Sequence, residues 1–478
     1  MTIALIFTLL LFLLILIMVI RAYRFTPLQQ NSAEPENHKP DKKRVTESLS
    51  KMLQFKTVSS INRDEVDLKA FSDFKKYIKT RYPKTVKASK ISEHCPSGIL
   101  FKIKGNSSAA PVVLMSHYDV VSADGEWQSP PFSGKVIKGR IWGRGALDNK
   151  HTLCGIMEAC EYLLENKHEF QNDLYLAFSG DEEIIGGSAE AIVDHLDKLR
   201  VKPAIVIDEG GAVVENIFPG VKKRCAVVGI AEKGFLSLEL SVKSQGGHAS
   251  APPAETPVTI LADAVQKINR SRVFKMKLTE SVKLLFNTVA RHSESFAIKL
   301  IFANLWLLLP VVKLIAKKTG GEFFAMFKTT AAFTMMSGSR QINVLPTEAK
   351  VGINLRILTG ETVESAVSSI EKQINDSRVE TKIVYGHNPS TVSRTDKAYD
   401  KVKETILKTW SDAVVAPYLM TACTDSRSYH KICRNVYRFS PVHMSREEIS
   451  SIHGNNESIG IDNLMDCVKF YINFIKMN

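Results

Sequence analysis

The chain has 478 residues, too many for one small core and enough for two to four domains. With 44% hydrophobic and 24% charged residues it reads as an ordinary globular protein, and no disulfide framework is needed to hold it. The formal net charge is +13, but Lys and Arg are scattered and no basic stripe interleaves with aromatics. A nucleic-acid partner is therefore not expected, and a solvated basic surface, partly facing anionic lipid, is.

Residues 1–20 form an apolar run broken only by Thr2 and Thr8, long enough to span a bilayer. No basic residues precede it and no small-residue cleavage site follows; Arg21 and Arg24 come next. This favours an uncleaved single-pass membrane anchor over 1–22 rather than a removed signal peptide. The positive-inside rule points the large C-terminal part to the cytoplasm, but with almost no N-terminal tail the side of the membrane stays open. Residues 23–44, with Pro27, Pro35 and Pro40, read as a polar linker.

From residue 45 strand and helix patterns alternate. Apolar runs at 111–116, 173–179 and 204–208 suit buried strands, and helical spacing marks 149–167 and 187–200. This rhythm predicts an α/β fold with a mostly parallel (mixed) sheet flanked by helices. After about residue 230 the texture changes. Strict alternation at 235–242 and 350–357 predicts half-buried antiparallel strands, accompanied by helices over 256–269 and 362–374. The boundaries that follow are a first catalytic part over 45–232, an inserted α+β domain over 233–384, and a return to the first domain over 385–478. Segment 296–316 is unusually apolar. Lys299 and Lys313 leave it a short core, so a buried or membrane-resting helix is expected before a second span. The seven cysteines include no C-x-x-C pair and fix no redox compartment. The triplets at 106–108 and 375–377 fit a glycosylation pattern that chance often supplies.

Five polar motifs fall at strand ends or in a late loop. S-H-Y-D-V at 116–120 ends an apolar strand, where ligands bind in open α/β sheets. Its His117 and Asp119 are two residues apart and point to one side, the arrangement in which a carboxylate orients a metal-binding imidazole. W-G-R-G-A-L-D-N-K at 142–150 places Asp148 just before a helix, either as its cap or as a carboxylate bridging two cations. S-G-D-E-E at 179–183 sets three acids together at a strand end, which is unfavourable without a cation. There one carboxylate can ligate while its neighbour acts as general base. I-D-E-G-G at 207–211 and I-H-G-N-N-E at 452–457 add Glu209, with Asp208 as its adjacent rival, and His453. Together these acids and two histidines suit two zinc ions sharing a carboxylate, and no H-E-x-x-H is present.

With these motifs in hand, the chain resembles the co-catalytic zinc metallopeptidases of the aminoacylase, carboxypeptidase S, carnosinase and succinyl-diaminopimelate desuccinylase family over residues 45–476. The nearest branch is that of carboxypeptidase S and the N-fatty-acyl-amino-acid hydrolase/synthase. The resemblance implies two zinc ions per subunit, with cobalt or manganese as substitutes, held by His117, Asp148, Glu183, Glu209 and His453. It implies Asp119 as the acid orienting His117, Asp148 as the bridge followed by a cis peptide bond, and Glu182 as the general base. The inserted domain resembles the family's lid and dimerisation domain, so a homodimer through it is expected. G-G-H-A-S at 246–250 resembles the lid motif whose His248 reaches the reacting carbonyl, often in the partner subunit. S-R-Q-I-N-V-L-P at 339–346 resembles the segment holding the substrate carboxylate, with Arg340 and Asn343 as candidates and Arg356 a further one. C-T-D-S-R at 423–427 departs from the family's G-T-D-S-R at Cys423, which bears on the backbone and width of the pocket. The implied activity is hydrolysis of an amide bond beside a free carboxylate, in a peptide or an N-acyl amino acid. The alternative is a metal-containing binding protein without catalysis, against which the intact Glu182 and full ligand set argue.

Overall fold

Two sheets organise the chain in the computed structural model, which describes residues 2–27, 36–270 and 273–478; residues 28–35 of the expected linker lie outside the described residues. The larger sheet has eight strands. In spatial order they are Ser89–His94, Gly98–Ile103, Leu174–Ser179, Val112–His117, Ile205–Val214, Val436–Met444, Cys225–Glu232 and Val414–Met420. The four central strands, from Leu174–Ser179 to Val436–Met444, run parallel, and the outer pairings are mixed. Strands Val112–His117 and Leu174–Ser179 are buried at every residue, as continuous apolar runs covered on both faces must be.

The period of two divides these strands between two cores. Val112 and Leu114 face a core built with the helices Lys42–Met52, Lys150–Glu165 and Ile461–Lys476. Val113 and Met115 face the opposite layer, against Ile192, Val193 and Leu196 of the helix Ser188–Lys198 and Tyr429 of a 3-10 turn. The helix Lys42–Met52 starts within the stretch expected to be linker, because the Asp41 carboxylate caps it by accepting from the Lys43 and Arg44 amides.

The smaller sheet is antiparallel, in the order Thr330–Ser337, Glu348–Ile357, Gly234–Lys243, Glu380–His387. Its inner face alternates Leu236, Leu238 and Leu240 with Val351, Ile353 and Leu355 on the neighbouring strand. The helices Pro257–Arg270 and Val363–Ile374 bury their apolar faces on it. The helices between residues 280 and 325 do not join this core. Val282, Leu285, Phe286 and Val289 of Glu280–Val289, with Val312 and Ala316 of Leu305–Thr319, pack into the core of the larger sheet.

The N-terminal helix Thr2–Tyr23 leaves its apolar side chains exposed along most of its length. It is long and apolar enough to cross a membrane. The segment expected at 296–316 forms two helices, Phe296–Ala303 and Leu305–Thr319, bent by 116° at Asn304.

Candidate metal centre

The parallel strands bring their C-terminal ends to one edge of the larger sheet. His117 pairs in register with Ser179, and Leu114 with Ile207, so the ends of three strands lie level and deliver His117, the 181–183 turn and Glu209 to one place. Asp148 arrives on the loop before the helix Lys150–Glu165, and His453 on the loop after Arg446–Ser451.

Asp148 is the centre of the arrangement. Its Oδ1 lies 2.9 Å from His117 Nε2, and its Oδ2 lies 3.0 Å from His453 Nε2. Glu209 Oε1 is 3.3 Å from the same His117 nitrogen, and Glu183 Oε2 is 3.1 Å from the His453 nitrogen. The residues thus sort into two sets, His117–Asp148–Glu209 and Asp148–Glu183–His453, whose ligand atoms in each set lie within 4.8 Å of one another. The Asp148–Asn149 peptide bond is cis. His453 adopts φ of 59°, a left-handed conformation that turns the chain sharply at the loop tip.

Asp119 does two things at once. Its Oδ1 is 3.2 Å from His117 Nδ1, which fixes the ring so that Nε2 faces Asp148. Its two oxygens also accept from the Glu182 and Glu183 amides, at 3.2 and 3.1 Å, and so hold the turn bearing both acids. Asp208 is turned the other way: Oδ2 accepts from the Ser426 amide at 3.0 Å, while Glu209 faces His117. Successive residues of a strand point to opposite sides, and that separates these neighbours.

The electrostatics call for positive charge. Burial pushes the Glu209 carboxyl up to about 8; the His117 charge opposes this and the Asp148 charge adds to it. Burial likewise holds Glu182 well above the usual carboxylate range. Hydrogen bonds to Asp148 and Glu183 raise His453 to about 10. Burial opposes ionisation of His117, but Glu209, Asp119 and Asp148 around the ring carry it well above its ordinary value. Glu209, Glu182, His117 and His453 thus all hold protons more tightly than usual, protons that a bound cation would displace. Buried Glu183 Oε1 has no hydrogen-bond partner. Histidine nitrogens and carboxylate oxygens in two sets around a shared Asp148 are the donors that a pair of divalent ions such as zinc takes. The residues therefore fit a metal pair.

One member of the site has no sequence signal beyond lying four residues after His453. Glu457 is fully buried, and its Oε1 accepts from the Leu147 and Asp148 amides at 2.6 and 3.1 Å. Its Oε2 accepts from the Gly145 amide at 3.0 Å and the Arg144 guanidinium at 2.9 Å. This carboxylate shapes the loop that presents Asp148. A second buried pair, Glu232 with Arg438 at 2.8 Å, anchors Thr424 through its amide and hydroxyl.

The other candidates lie on or beside the smaller sheet. His248 is exposed in a two-residue bridge with Val344, and the neighbouring Asn343 carbonyl accepts from the Ala249 amide. Arg340 is exposed in the same region. His248, Arg340 and Asn343 thus form one surface cluster, and among the described residues no hydrogen bond or ion pair joins it to the metal centre. Arg356 is separate and half-buried: its guanidinium lies 5.0 Å from the Phe235 ring centroid and its Nη1 is 3.4 Å from Cys423 Sγ. The Cys423 thiol also donates to the Lys233 carbonyl at 3.2 Å, and burial pushes it up to about 12.

A family model described as Peptidase family M20/M25/M40 matches residues 113–477. The chain is 33% identical over 475 residues to the N-fatty-acyl-amino acid synthase/hydrolase PM20D1 of Xenopus tropicalis, covering 97% of this chain and 92% of that protein. It is 35% identical over 442 residues to the probable carboxypeptidase S-like 2 of Dictyostelium discoideum, covering 90% and 84%. Among solved structures it is similar to an M20 family metallo-carboxypeptidase from Sulfolobus solfataricus, with a TM-score of 0.69 at 18% identity over 90% of this chain and 98% of that one. Human carnosine dipeptidase 1 gives 0.64 at 13% identity over 91% and 95%. At these identities the structural matches speak for the fold alone.

Proposed function

The chain belongs to peptidase family M20/M25/M40 and is a hydrolase of that metallopeptidase and amidohydrolase group, and from that premise we propose that it cleaves an amide bond next to a free carboxylate using two zinc ions. The observation that carries the reading is Asp148, whose two oxygens face two different histidines. His117, Asp148 and Glu209 would hold one ion, and Asp148, Glu183 and His453 the other; cobalt or manganese fits the same donors. Bound there, the metals supply a nucleophilic water at neutral pH and polarise the scissile carbonyl.

The protein's own groups do the rest. Glu182, held by Asp119 and buried among acids that keep its proton affinity high, takes a proton from the attacking water. It returns that proton to the leaving nitrogen as the C–N bond breaks. His248 Nδ1 is engaged by Ser250, so Nε2 is the atom it offers to the oxyanion, from the partner subunit of a dimer formed through the smaller sheet. Arg340 and Asn343 recognise the substrate carboxylate, and Arg356, which stands apart beside Cys423, is a further candidate for that role. The N-terminal helix serves as the membrane anchor.

A specific observation favours an N-acyl amino acid over a dipeptide. An apolar cavity of about 390 Å³ lies between residues 217–221 and the helices from 286 to 326, lined by Phe218, Phe286, Ile301, Phe302 and Phe323. Apolar pockets of this size take drug-sized or alkyl guests. Glu322 at its wall is hydrogen-bonded by Tyr418, two residues before Met420, which packs against Gly210 beside Glu209.

The test is a panel of dipeptides and N-acyl amino acids of rising chain length, run on the full chain with and without chelator. Turnover that is lost on chelation and restored by zinc is expected, with Glu182→Gln falling about 10²–10⁴-fold while metal content is kept. Chelator-resistant turnover, or full activity in Glu182→Gln, would remove the assigned mechanism.

A further inference from the structure

The N-terminal helix is tied at its C-terminal end to the bend between helices Phe296–Ala303 and Leu305–Thr319. The Arg21 guanidinium donates to the Ala303 carbonyl at 3.1 and 2.9 Å, and the Asn304 amide nitrogen donates to the Met18 carbonyl at 3.1 Å. The Tyr23 and Phe296 rings meet at 5.0 Å. Arg291 stacks on Phe25 at 4.4 Å and donates to the Thr26 carbonyl. These contacts fix a depth. A helix rises about 1.5 Å per residue, so the 21 residues Ile3–Tyr23 cover roughly the 30 Å thickness of a hydrocarbon core. Arg21 and Tyr23 then stand at the interfacial end, and the bend tied to Arg21 stands with them.

From that height two helices bent by 116° do not continue as a straight span. They present Phe296, Trp306, Val311 and Leu314 to the outside, Trp306 with 60% of its surface exposed. Beside them is a groove of about 960 Å³ that runs from residue 268 across Leu305–Thr319 to the strand Thr330–Ser337. Arg270, Lys275, Lys313, Lys317 and Lys328 line it, and no acidic residue does among the described residues. None of the five forms a salt bridge among the described residues, although Lys313 donates to the Met276 carbonyl. Exposed apolar side chains, a Trp at the bend and a groove lined by cations and by no carboxylate among the described residues are the chemistry of a surface seated on anionic lipid.

We propose that helices 296–319 form a second, non-spanning membrane contact that rests on the bilayer beside the N-terminal helix. Trp306 and its apolar neighbours enter the acyl boundary, and the basic groove takes anionic phospholipid headgroups. The inference rests on the anchor reading of the N-terminal helix for its depth, and the experiment separates the two.

The full chain is placed in vesicles of phosphatidylcholine brominated on its acyl chains, with or without phosphatidylserine. Retention after carbonate washing reads the anchor, and quenching of tryptophan fluorescence reads the platform. Trp127, Trp142 and Trp410 are half-buried or buried away from the bend, so the quenched part should vanish in Trp306→Phe. Quenching should rise severalfold with phosphatidylserine, and Lys275→Gln with Lys317→Gln should erase that rise. Trp306→Phe should keep turnover of a soluble substrate, showing that the variant is folded. Retention with Trp306 unquenched would overturn the platform and leave the anchor standing, as would shielding of Trp306 in a dimer of this chain. Loss on washing with Trp306 still quenched on anionic vesicles would sustain the platform and remove the anchor. Quenching indifferent to phosphatidylserine would overturn the headgroup site.

Discussion

Glu457 and Arg144 show how a residue outside the ligand sets can control them. Four donors converge on one buried carboxylate, and three of them are amides of the loop that ends in Asp148. Glu457→Gln would set its amide hydrogens against two of those donors and leave Arg144 buried without a counter-charge. Breaking such a pair costs about 3–5 kcal/mol. Glu457→Gln should therefore lower the melting temperature and the bound metal together, whereas Glu182→Gln should leave both near their starting values. Calorimetry and metal analysis on the two variants check this; equal metal content in Glu457→Gln would show that the loop holds its shape without it. The contrast also marks what the sequence carries at this scale. His117, Glu183 and Glu209 follow apolar strands, and a strand end is visible in the pattern. Asp208 and Glu209 are inseparable as sequence neighbours, and only side-chain direction turns Glu209 toward His117 and Asp208 toward the Ser426 amide. Glu457 meets Arg144 across 313 positions, and no local pattern announces such a contact.

At the scale of elements, the strands and helices of both sheets are visible as periods of 2 and 3.6, because each buries one face. Which sheet a helix joins is less visible. Helix Glu280–Val289 has an apolar stripe that would suit either core, and it packs on the larger sheet although it lies between strands of the smaller one. A polar stretch can likewise be held in place by ion pairs and hydrogen bonds. Glu36 is bound by Lys476 at 2.5 Å and Lys408 at 3.0 Å, and the neighbouring His38 ring by Asn473 at 2.9 Å. These contacts strap the chain just before Asp41 onto the helices Ile461–Lys476 and Lys397–Thr409. The Lys476 hydrogen bond, against the cost of partial burial, lowers the Glu36 pKa from 4.5 to about 2. A carboxyl depressed in the folded state stabilises above its unfolded pKa and loses that contribution as pH falls through the folded one. The strap should thus hold at pH 5 and loosen as the pH approaches 2. Amide exchange of residues 36–41, corrected for intrinsic rate, should show protection fading across that window. In Glu36→Gln it should be weak throughout; unchanged protection in that variant would mean that packing rather than charge holds the strap.

For the whole molecule, the relation that matters is between the candidate metal centre and the surface cluster of His248, Arg340 and Asn343. Within one chain the two share no hydrogen bond or ion pair among the described residues. The smaller sheet meanwhile ends in the strand Thr330–Ser337, which exposes Met335 and Met336 at 73% and 60%, with Ile342 fully exposed nearby. An open apolar edge of this kind suits pairing, and the proposed two-fold dimer would carry one chain's cluster toward the other's candidate metal centre. If so, Glu182→Gln and His248→Ala disable different halves of one shared site. Each variant alone should be inactive or nearly so. Mixed and allowed to exchange subunits, they should regain up to about one quarter of wild-type activity, because half of random dimers then hold one intact composite site. Met335→Lys, which places a charge on the open edge, should disperse the dimer and abolish the recovery while leaving metal content unchanged. A mixture that stays inactive although mixed dimers are present would place His248 at the site of its own chain, reached by movement of the smaller sheet rather than by assembly.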